Sequence, residues 1–499
     1  MDAEVSYSVA VPLAEASPVE ARLPAKVSYG IGEIPITVTM VMFGLFVMFF
    51  YNSVMRLPGT LVGLASAVGL LWDAAVDPYI GYRSDRSRSR FGRRHGYMLA
   101  GAVGMGLFFW MLLSPPRGLG TLSLFAWLLT ATIIFRLASA VYRIPYLSLG
   151  AEMSADYHGR TEIVGIRSFF GLLGTLAAGA LSFALFFPNI VPGVDPKLDY
   201  ASYPKMGLAF GLVMVICGLA AVFGTLEHRT RPAETVGGSS LSRQGSFWSG
   251  FAVSLRNRAF RSVWLSFTLF FFAVVFNGVL AIHYFTWYVD IRDSKTLSFL
   301  QACFYVGALI GVPVWVGIAR SFEKKRLCLA AMGALSALLC AATLLFGAGS
   351  LFGTGNPEPL MAGNALAGFF ASVLWVFPAS MLADIVDQDE VRTGLRREGI
   401  FFGILNFGEK IAAGASLLAS GVLLDYFVRL SPGAAQEPGT AARIGMLYGL
   451  LPAALVLFSG TLLWRYRLDR NAVREIQAML ERTRRGADSP LLRSPGQEA

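Results

Sequence analysis

The apolar residues of this 499-residue chain fall into runs of about 20 residues, the length that crosses a bilayer as an α-helix. Apolar residues make up 55% of the chain and charged residues 15%, whereas about 25% of an average soluble chain is charged. A single soluble core cannot bury this much apolar sequence, because domains split beyond about 250–300 residues. The pattern excludes a soluble enzyme, a disulfide scaffold and a disordered chain, and it predicts an all-α membrane protein.

Twelve runs are long enough to span a membrane. The predicted spans are 33–54, 57–82, 96–114, 121–146, 164–187, 204–226, 262–288, 296–319, 327–352, 360–383, 399–427 and 444–465. The long polar stretch 227–261 is predicted to be a linker between two six-helix bundles, 26–226 and 262–467. Transporters built as six plus six helices rock their halves around a site near the midplane. Residues 1–25 are predicted to be a disordered tail, and residues 468–499 a second tail. Within the second tail, the sequence of 469–485 predicts a short amphipathic helix.

The net charge of +10 reflects membrane topology rather than nucleic-acid binding. Basic residues concentrate in alternate loops, such as Arg83–Arg94, Arg229–Arg261 and the tail from Arg465. Such loops stay in the cytoplasm, so both termini and the linker are predicted to be cytoplasmic. The first 25 residues place no basic segment before an apolar stretch, and we therefore expect no cleaved signal peptide.

Two carboxylates within the predicted second span are the first functional candidates. Asp73 and Asp77 are four residues apart and therefore share one helix face. Two anions this close need a proton, a bound cation or a basic side chain from another helix, and Na⁺ prefers oxygen ligands, as other hard cations do. The alternative is structural, with both carboxylates permanently paired to arginine.

Basic side chains occur at similar depths. Arg136 and Arg143 share one face of the fourth span. The two aspartates of the second span are the obvious partners of Arg143, whereas Arg136 and Arg167 are equally well explained as anchors of helix ends. Lys410 lies mid-membrane in the eleventh span, where it can move as an ammonium group or donate to a bound carboxylate or hydroxyl. Trp375 offers a face for stacking a sugar ring, although ordinary packing is the usual role of a single tryptophan.

Charged groups at the predicted cytoplasmic ends of helices suggest a gate of breakable ion pairs. They can equally serve as topology anchors. The predicted gate residues are Asp85, Arg86, Arg93, Arg94, Asp384 and Asp387.

From Lys26 to about residue 420, the chain resembles the glycoside–pentoside–hexuronide:cation symporter family, the melibiose-permease branch of the major facilitator superfamily. The matching segments are WDAAVDPYIGYRSDRSRSRFGRR, IPYLSLGAEMSADYHGRTEIVGIR, ADIVDQDE and EGIFFGILNFGEKIA. The resemblance implies a twelve-helix carrier of the major facilitator fold that works by alternating access. It also implies that Asp73 and Asp77 bind the coupling ion with Lys410 nearby, and that Arg167 and Trp375 line the sugar site.

Two positions depart from the family pattern. Arg143 stands where melibiose permeases carry an aspartate, and Thr37 stands at the sugar-binding aspartate of the first span, with Glu33 one turn earlier. Galactoside specificity is therefore not carried over. A sodium ion beside Arg143 would face a repulsion of about 4 kcal/mol at 4 Å in an effective dielectric of 20. We therefore expect Na⁺ coupling to be weak or absent, which leaves proton coupling or facilitated diffusion.

The sequence as a whole predicts a secondary transporter of a sugar or glycoside, coupled to H⁺ rather than Na⁺. Arg143, Arg167 and Lys410 together weakly favour an acidic sugar. The predicted cation-coupling residues are Asp73, Asp77 and Lys410; the predicted substrate-binding residues are Arg143, Arg167, Trp375, Thr37 and Tyr146. The alternatives are a lysophospholipid or other amphiphile carrier, which needs a wide apolar cavity with a lateral opening, and a non-transporting membrane sensor.

The remaining expectations concern partners and location. We expect a monomer in the bacterial inner membrane, with the lipid bilayer as its surroundings and no nucleic-acid partner. No nucleophile–base constellation or phosphate loop occurs, which argues against an enzyme. We expect no cofactor, and no metal beyond a weak Na⁺ site at the two aspartates.

Overall fold

The structure, a computed structural model, describes residues 22–87, 91–153, 157–187, 195–228, 254–394, 397–430 and 439–487. Within these ranges twelve helices are long and apolar enough to cross a membrane. They are α1 Leu23–Val54, α2 Gly59–Ser84, α3 His95–Leu112, α4 Thr121–Gly150, α5 Glu162–Phe186, α6 Ser202–Gly224, α7 Arg258–Tyr288, α8 Ser294–Ile318, α9 Lys324–Leu344, α10 Glu358–Thr393, α11 Glu398–Val428 and α12 Thr440–Leu463. A further helix, α13, covers Arg470–Ala487 and packs against α10.

The predicted all-α fold and the twelve spans are confirmed. The predicted boundaries differ most at three helix ends: α1 begins at Leu23 rather than residue 33, α10 ends at Thr393 rather than residue 383, and α9 ends at Leu344 rather than residue 352. Hydropathy detects only the apolar centre of a helix, whereas backbone hydrogen bonding continues into the polar ends. The linker 227–261 lies largely outside the described residues, as do most of the predicted N-terminal tail and the end of the chain.

Helices of each half of the chain pack mainly against one another. In the first half α3 packs on α4 and α6, and α1 packs on α5 and α6; in the second half α8 packs on α10, and α12 packs on α7 and α9. In the described part of the chain the main contacts between the two halves are those of α1 with α7, α2 with α11, and α5 with α8. The space enclosed between the halves is therefore bounded by helices of both.

The halves are tightly closed at one end, which the charge distribution predicts to be the extracytoplasmic end. The start of α2 crosses the end of α11 so closely that a Cβ on Gly421 would collide with the Gly59 carbonyl. Asp425 of α11 accepts hydrogen bonds from the backbone N–H groups of Gly59 (2.8 Å) and Thr60 (2.7 Å). An anion at a helix N-terminus satisfies free N–H donors and interacts favourably with the helix dipole, so this contact joins the two halves.

The opposite end shows a different pattern of ion pairs. Arg93 and Arg94 both contact Glu152 (2.5 and 2.6 Å), and Lys324 contacts Asp384 (2.7 Å). Each pair joins elements of the same half.

Candidate functional site

A cavity of about 1120 Å³ lies between the two halves. Most of its lining side chains are apolar. The charged lining residues are Glu33, Asp73, Arg136, Arg143, Arg167 and Lys410. All except Lys410 belong to the first half of the chain, so the charge is concentrated on one wall of the cavity.

The carboxylates of α2 are paired to three cations. Asp73 Oδ2 accepts from Arg136 Nη1 (2.7 Å). Asp77 Oδ2 accepts from both Arg143 Nη2 (2.6 Å) and Lys410 Nζ (2.5 Å). The pairing with α4 follows from helix geometry. Asp73 and Asp77 share one face of α2, and the two arginines, seven residues apart, share one face of α4. The arginine pair is more widely spaced than the aspartate pair, and the long arginine side chains span the extra distance. The Lys410–Asp77 pair connects α11 to α2, and therefore joins the two halves at the depth of the cavity.

Asp77 shares one oxygen between its two cations, while its Oδ1 is buried without a hydrogen-bond partner in the described part of the chain. Both aspartates are thus already paired to cationic side chains. The described residues also include no group of three or more His, Cys, Asp or Glu side chains arranged to hold a metal ion.

A second charged pair lines the cavity on α1 and α5. Arg167 Nε lies 3.8 Å from Glu33 Oε2, a longer distance than in the pairs around Asp73 and Asp77. Oε2 of Glu33 is buried and has no hydrogen-bond partner among the described residues. The carboxylate of Glu33 is therefore the least well neutralised of the three.

The other predicted substrate residues differ in position. Trp375 lines the cavity with half of its surface exposed (50%). Thr37 also lines it, although its hydroxyl donates to the Ile34 carbonyl of its own helix (3.2 Å). Tyr146, by contrast, is fully buried outside the lining, where it stacks on Tyr29 and donates to the Tyr29 carbonyl (2.9 Å). Its position indicates a role in packing α4 against α1.

The predicted gate residues lie at the ends of helices, away from the cavity. Arg86 stacks over the Tyr82 ring at 3.7 Å; Arg93, Arg94 and Asp384 take part in the same-half ion pairs described above. Asp387 lies in the last turns of α10. The side chain of Asp85 is outside the described part of the structure.

Two members of this charged wall were not predicted as site residues. Arg136 was explained equally well as a helix anchor, and Glu33 was noted only for its place one turn before Thr37. A stronger signal was present for Arg136: two arginines on one face of α4 match two aspartates on one face of α2. For Glu33 the signal was an acidic residue within an otherwise apolar span, which usually faces the protein interior.

Comparison with known proteins supplies independent information. A family model described as "MFS/sugar transport protein" matches residues 28–470. The inner membrane symporter YicJ of Escherichia coli (strain K12) is 26% identical over 460 residues, covering 88% of this chain and 91% of the relative. The sodium-dependent lysophosphatidylcholine symporter 1 of Mus musculus is 21% identical over 493 residues, covering 93% of this chain and 89% of the relative.

Among solved structures, one similar fold is a crystal structure of a bacterial homologue of the human lysosomal transporter Spinster, inward-facing and unoccupied. It matches with a TM-score of 0.63 at 14% identity, and the match covers 91% of this chain and 97% of that chain. At this identity the similarity concerns the fold alone.

Proposed function

Because the chain belongs to the MFS/sugar transport protein family, we propose that its cavity carries an amphiphile with an anionic head group. The chain is a symporter of the major facilitator type and an integral, multi-pass protein of the inner membrane. Its symporter relatives imply a coupling ion, Na⁺ or H⁺. The substrate and the choice between these ions are the subject of the proposal.

The division of the cavity into a charged wall and an apolar wall carries this proposal. Four cations line the cavity, and Glu33, Asp73 and the adjacent Asp77 supply three carboxylates, which leaves one net positive charge. Arginine pairs well with carboxylates and phosphates through two parallel hydrogen bonds. The second half contributes almost entirely apolar side chains, including Phe304, Leu309 and Leu338. An amphiphile could place its anionic head group against the cations of the first half and its apolar tail against the apolar side chains of the second half.

The size of the cavity supports a large substrate. Its volume of about 1120 Å³ exceeds the range of about 300–1,000 Å³ that is typical of small-molecule pockets, and a single sugar ring would leave most of it unfilled. Leu173 of α5 and Leu309 of α8 are exposed apolar side chains that line the cavity, and they give it an apolar surface on which an acyl chain would lie. The lysophosphatidylcholine symporter of mouse is a relative whose name fits this class of substrate.

An acidic sugar is the second candidate. It is favoured by Trp375, whose half-exposed ring lines the cavity that also contains Arg143 and Arg167. A sugar ring can stack on such a face while its carboxylate pairs with an arginine.

Binding measurements on protein in nanodiscs of zwitterionic lipid separate the two candidates. We expect radiolabelled lysophosphatidylglycerol to bind above the background of empty nanodiscs, and glucuronate not to bind. Arg167→Gln should weaken lysophosphatidylglycerol binding by about tenfold or more, because a hydrogen bond to a charged group contributes about 1.5–3 kcal/mol. The matched Arg326→Gln variant, which alters a side chain that is 79% exposed, should bind like the wild type. Binding of glucuronate alone would favour the sugar, and binding of neither would overturn the proposal.

We further propose that Na⁺ is not the coupling ion, and this gives a separate prediction. Replacing KCl with NaCl at constant ionic strength should change the affinity of the wild type for lysophosphatidylglycerol by less than about twofold, because cationic side chains already occupy both aspartates and would repel a sodium ion. Arg143→Asp removes one of these cations, adds an oxygen ligand and should make binding sodium-dependent. Arg326→Asp is the control. Accumulation of substrate by the wild type along an imposed Na⁺ gradient would contradict the prediction.

A further inference from the structure

We propose that Glu33 carries the coupling proton, and that a substrate anion and the Glu33 carboxylate compete for Arg167. This inference rests on the proposed function, since it requires an anionic substrate in the cavity. It assigns a coupling role to a residue of α1, whereas the sequence resemblance assigns coupling to the aspartates of α2.

Glu33 and Arg167 form a loose pair at the cavity wall. The two groups lie 3.8 Å apart, beyond ordinary hydrogen-bond distance, although both line the same cavity. Oε2 of Glu33 is buried without a donor from the described residues. A buried carboxylate oxygen in this situation gains a partner most simply by binding a proton.

Positive charge lies closer to the aspartates of α2 than to Glu33. Asp73 has Arg136 at 2.7 Å, and Asp77 has two cations at 2.5 and 2.6 Å. Nearby positive charge favours the carboxylate form. Of the three carboxylates, Glu33 therefore binds a proton at the lowest electrostatic cost.

Among the described residues no group makes a hydrogen bond to Glu33 Oε2, although the Tyr146 hydroxyl also interacts with this carboxyl group. The titratable or charged groups that face it are Arg167 of α5, Tyr29 of α1, and Arg143, Tyr142 and Tyr146 of α4. Tyr142 and Tyr146 donate their hydroxyl protons to the carbonyls of Gly32 and Tyr29, both at 2.9 Å. From α6, which also packs on α1, Cys217 interacts with Tyr142.

Competition for one arginine couples the two events. While Glu33 is ionised, it neutralises Arg167 and lowers the attraction of the cavity for an anion. A proton on Oε2 removes that competition and frees the guanidinium for the substrate head group. Because linkage is reciprocal, bound anion must strengthen proton binding by the same factor. A monoanionic substrate and its proton would then cross together without net charge.

Proton uptake on binding tests this directly. Lysophosphatidylglycerol is a suitable probe because its phosphodiester does not titrate between pH 5.5 and 8.5. In weakly buffered solution we expect wild-type protein in zwitterionic nanodiscs to take up protons as the probe binds, as reported by a pH-sensitive dye. Its affinity should fall about tenfold from pH 5.5 to 8.5, within the usual range of coupling between two sites.

The informative variant is Glu33→Gln, which mimics the protonated side chain. It should take up no proton, and at pH 8.5 it should bind the probe about tenfold more tightly than the wild type does. Damage to the fold would weaken binding instead. Glu162→Gln is the matched control, because Glu162 also pairs across α1 and α5, with Lys26 at 2.5 Å, but does not line the cavity; it should retain wild-type proton uptake.

The outcomes distinguish this inference from the proposed function. Probe binding by the wild type without proton uptake, or proton uptake that persists in Glu33→Gln, would overturn the role of Glu33 and leave the anionic amphiphile in place. Absence of probe binding by the wild type would overturn both.

Discussion

Asp77→Asn should abolish transport, with a loss of at least about 100-fold. In the structure one oxygen of Asp77 neutralises both Arg143 and Lys410. Asparagine leaves these two cations side by side without an anion, and removing one partner of a buried ion pair costs about 3–5 kcal/mol. The cations retain about a quarter of their exposure (27% and 26%), so the lower end of this range applies; about 2.7 kcal/mol corresponds to a 100-fold loss.

Exchange of radiolabelled lysophosphatidylglycerol across proteoliposomes, together with thermal unfolding, measures this effect. The control is Asp290→Asn, which disrupts an ion pair with Arg292 of similar length (2.8 Å) on the surface and should leave both values unchanged, because exposed ion pairs contribute little. Adding Lys410→Met to Asp77→Asn removes the excess positive charge and should restore the unfolding temperature but not exchange. Exchange by Asp77→Asn at more than half the wild-type rate would show that the bridge between the halves is dispensable.

Gly421→Leu should also abolish transport, by preventing closure of the end at which α2 crosses α11. Even a Cβ at Gly421 collides with the Gly59 carbonyl. The atoms that it meets belong to the backbone of Gly59 and Thr60, and they cannot move aside as a flexible side chain would. Separating the helices also removes the Asp425 hydrogen bonds to Gly59 and Thr60. Both effects destabilise the conformation seen here. A carrier must close each end alternately, so a protein that cannot close this end cannot complete its transport cycle.

Cysteine accessibility distinguishes this arrest from misfolding. Ser53 of α1 is buried (6% exposed), with its hydroxyl oxygen 3.4 Å from His283 Nε2 of α7. Ser53→Cys should therefore react slowly with a membrane-impermeant maleimide in the otherwise unmodified protein. In the Gly421→Leu background the same cysteine should react at least about tenfold faster, because a shift of one conformational equilibrium by about 1.4 kcal/mol changes a population ratio tenfold. Gly333→Leu is the matched control, since a Cβ there meets no atom within 4 Å. Normal exchange by Gly421→Leu would refute the proposed role of this crossing.

The charged wall was predictable only in part. The sequence identified Asp73, Asp77, Arg143 and Lys410 as important because ionisable residues are rare in membrane spans. It did not identify Glu33 and Arg136 as residues of the same cavity, and it suggested Tyr146 as a substrate residue, which the structure buries against Tyr29. Each of these distinctions depends on which way a helix is rotated about its axis, and a uniformly apolar helix gives little periodicity from which to infer that rotation.

The number of helices, their order and the division into two halves were determined by the sequence alone, because each spanning helix satisfies its own backbone hydrogen bonds and the bilayer sets its length. Tertiary structure alone decided which cation neutralises which carboxylate, which end of the molecule is closed, and that the cavity has a charged wall and an apolar wall. The physical reason is distance along the chain. Lys410 and Asp77 are 333 residues apart in sequence, and only the packing of α11 against α2 brings their charges into contact.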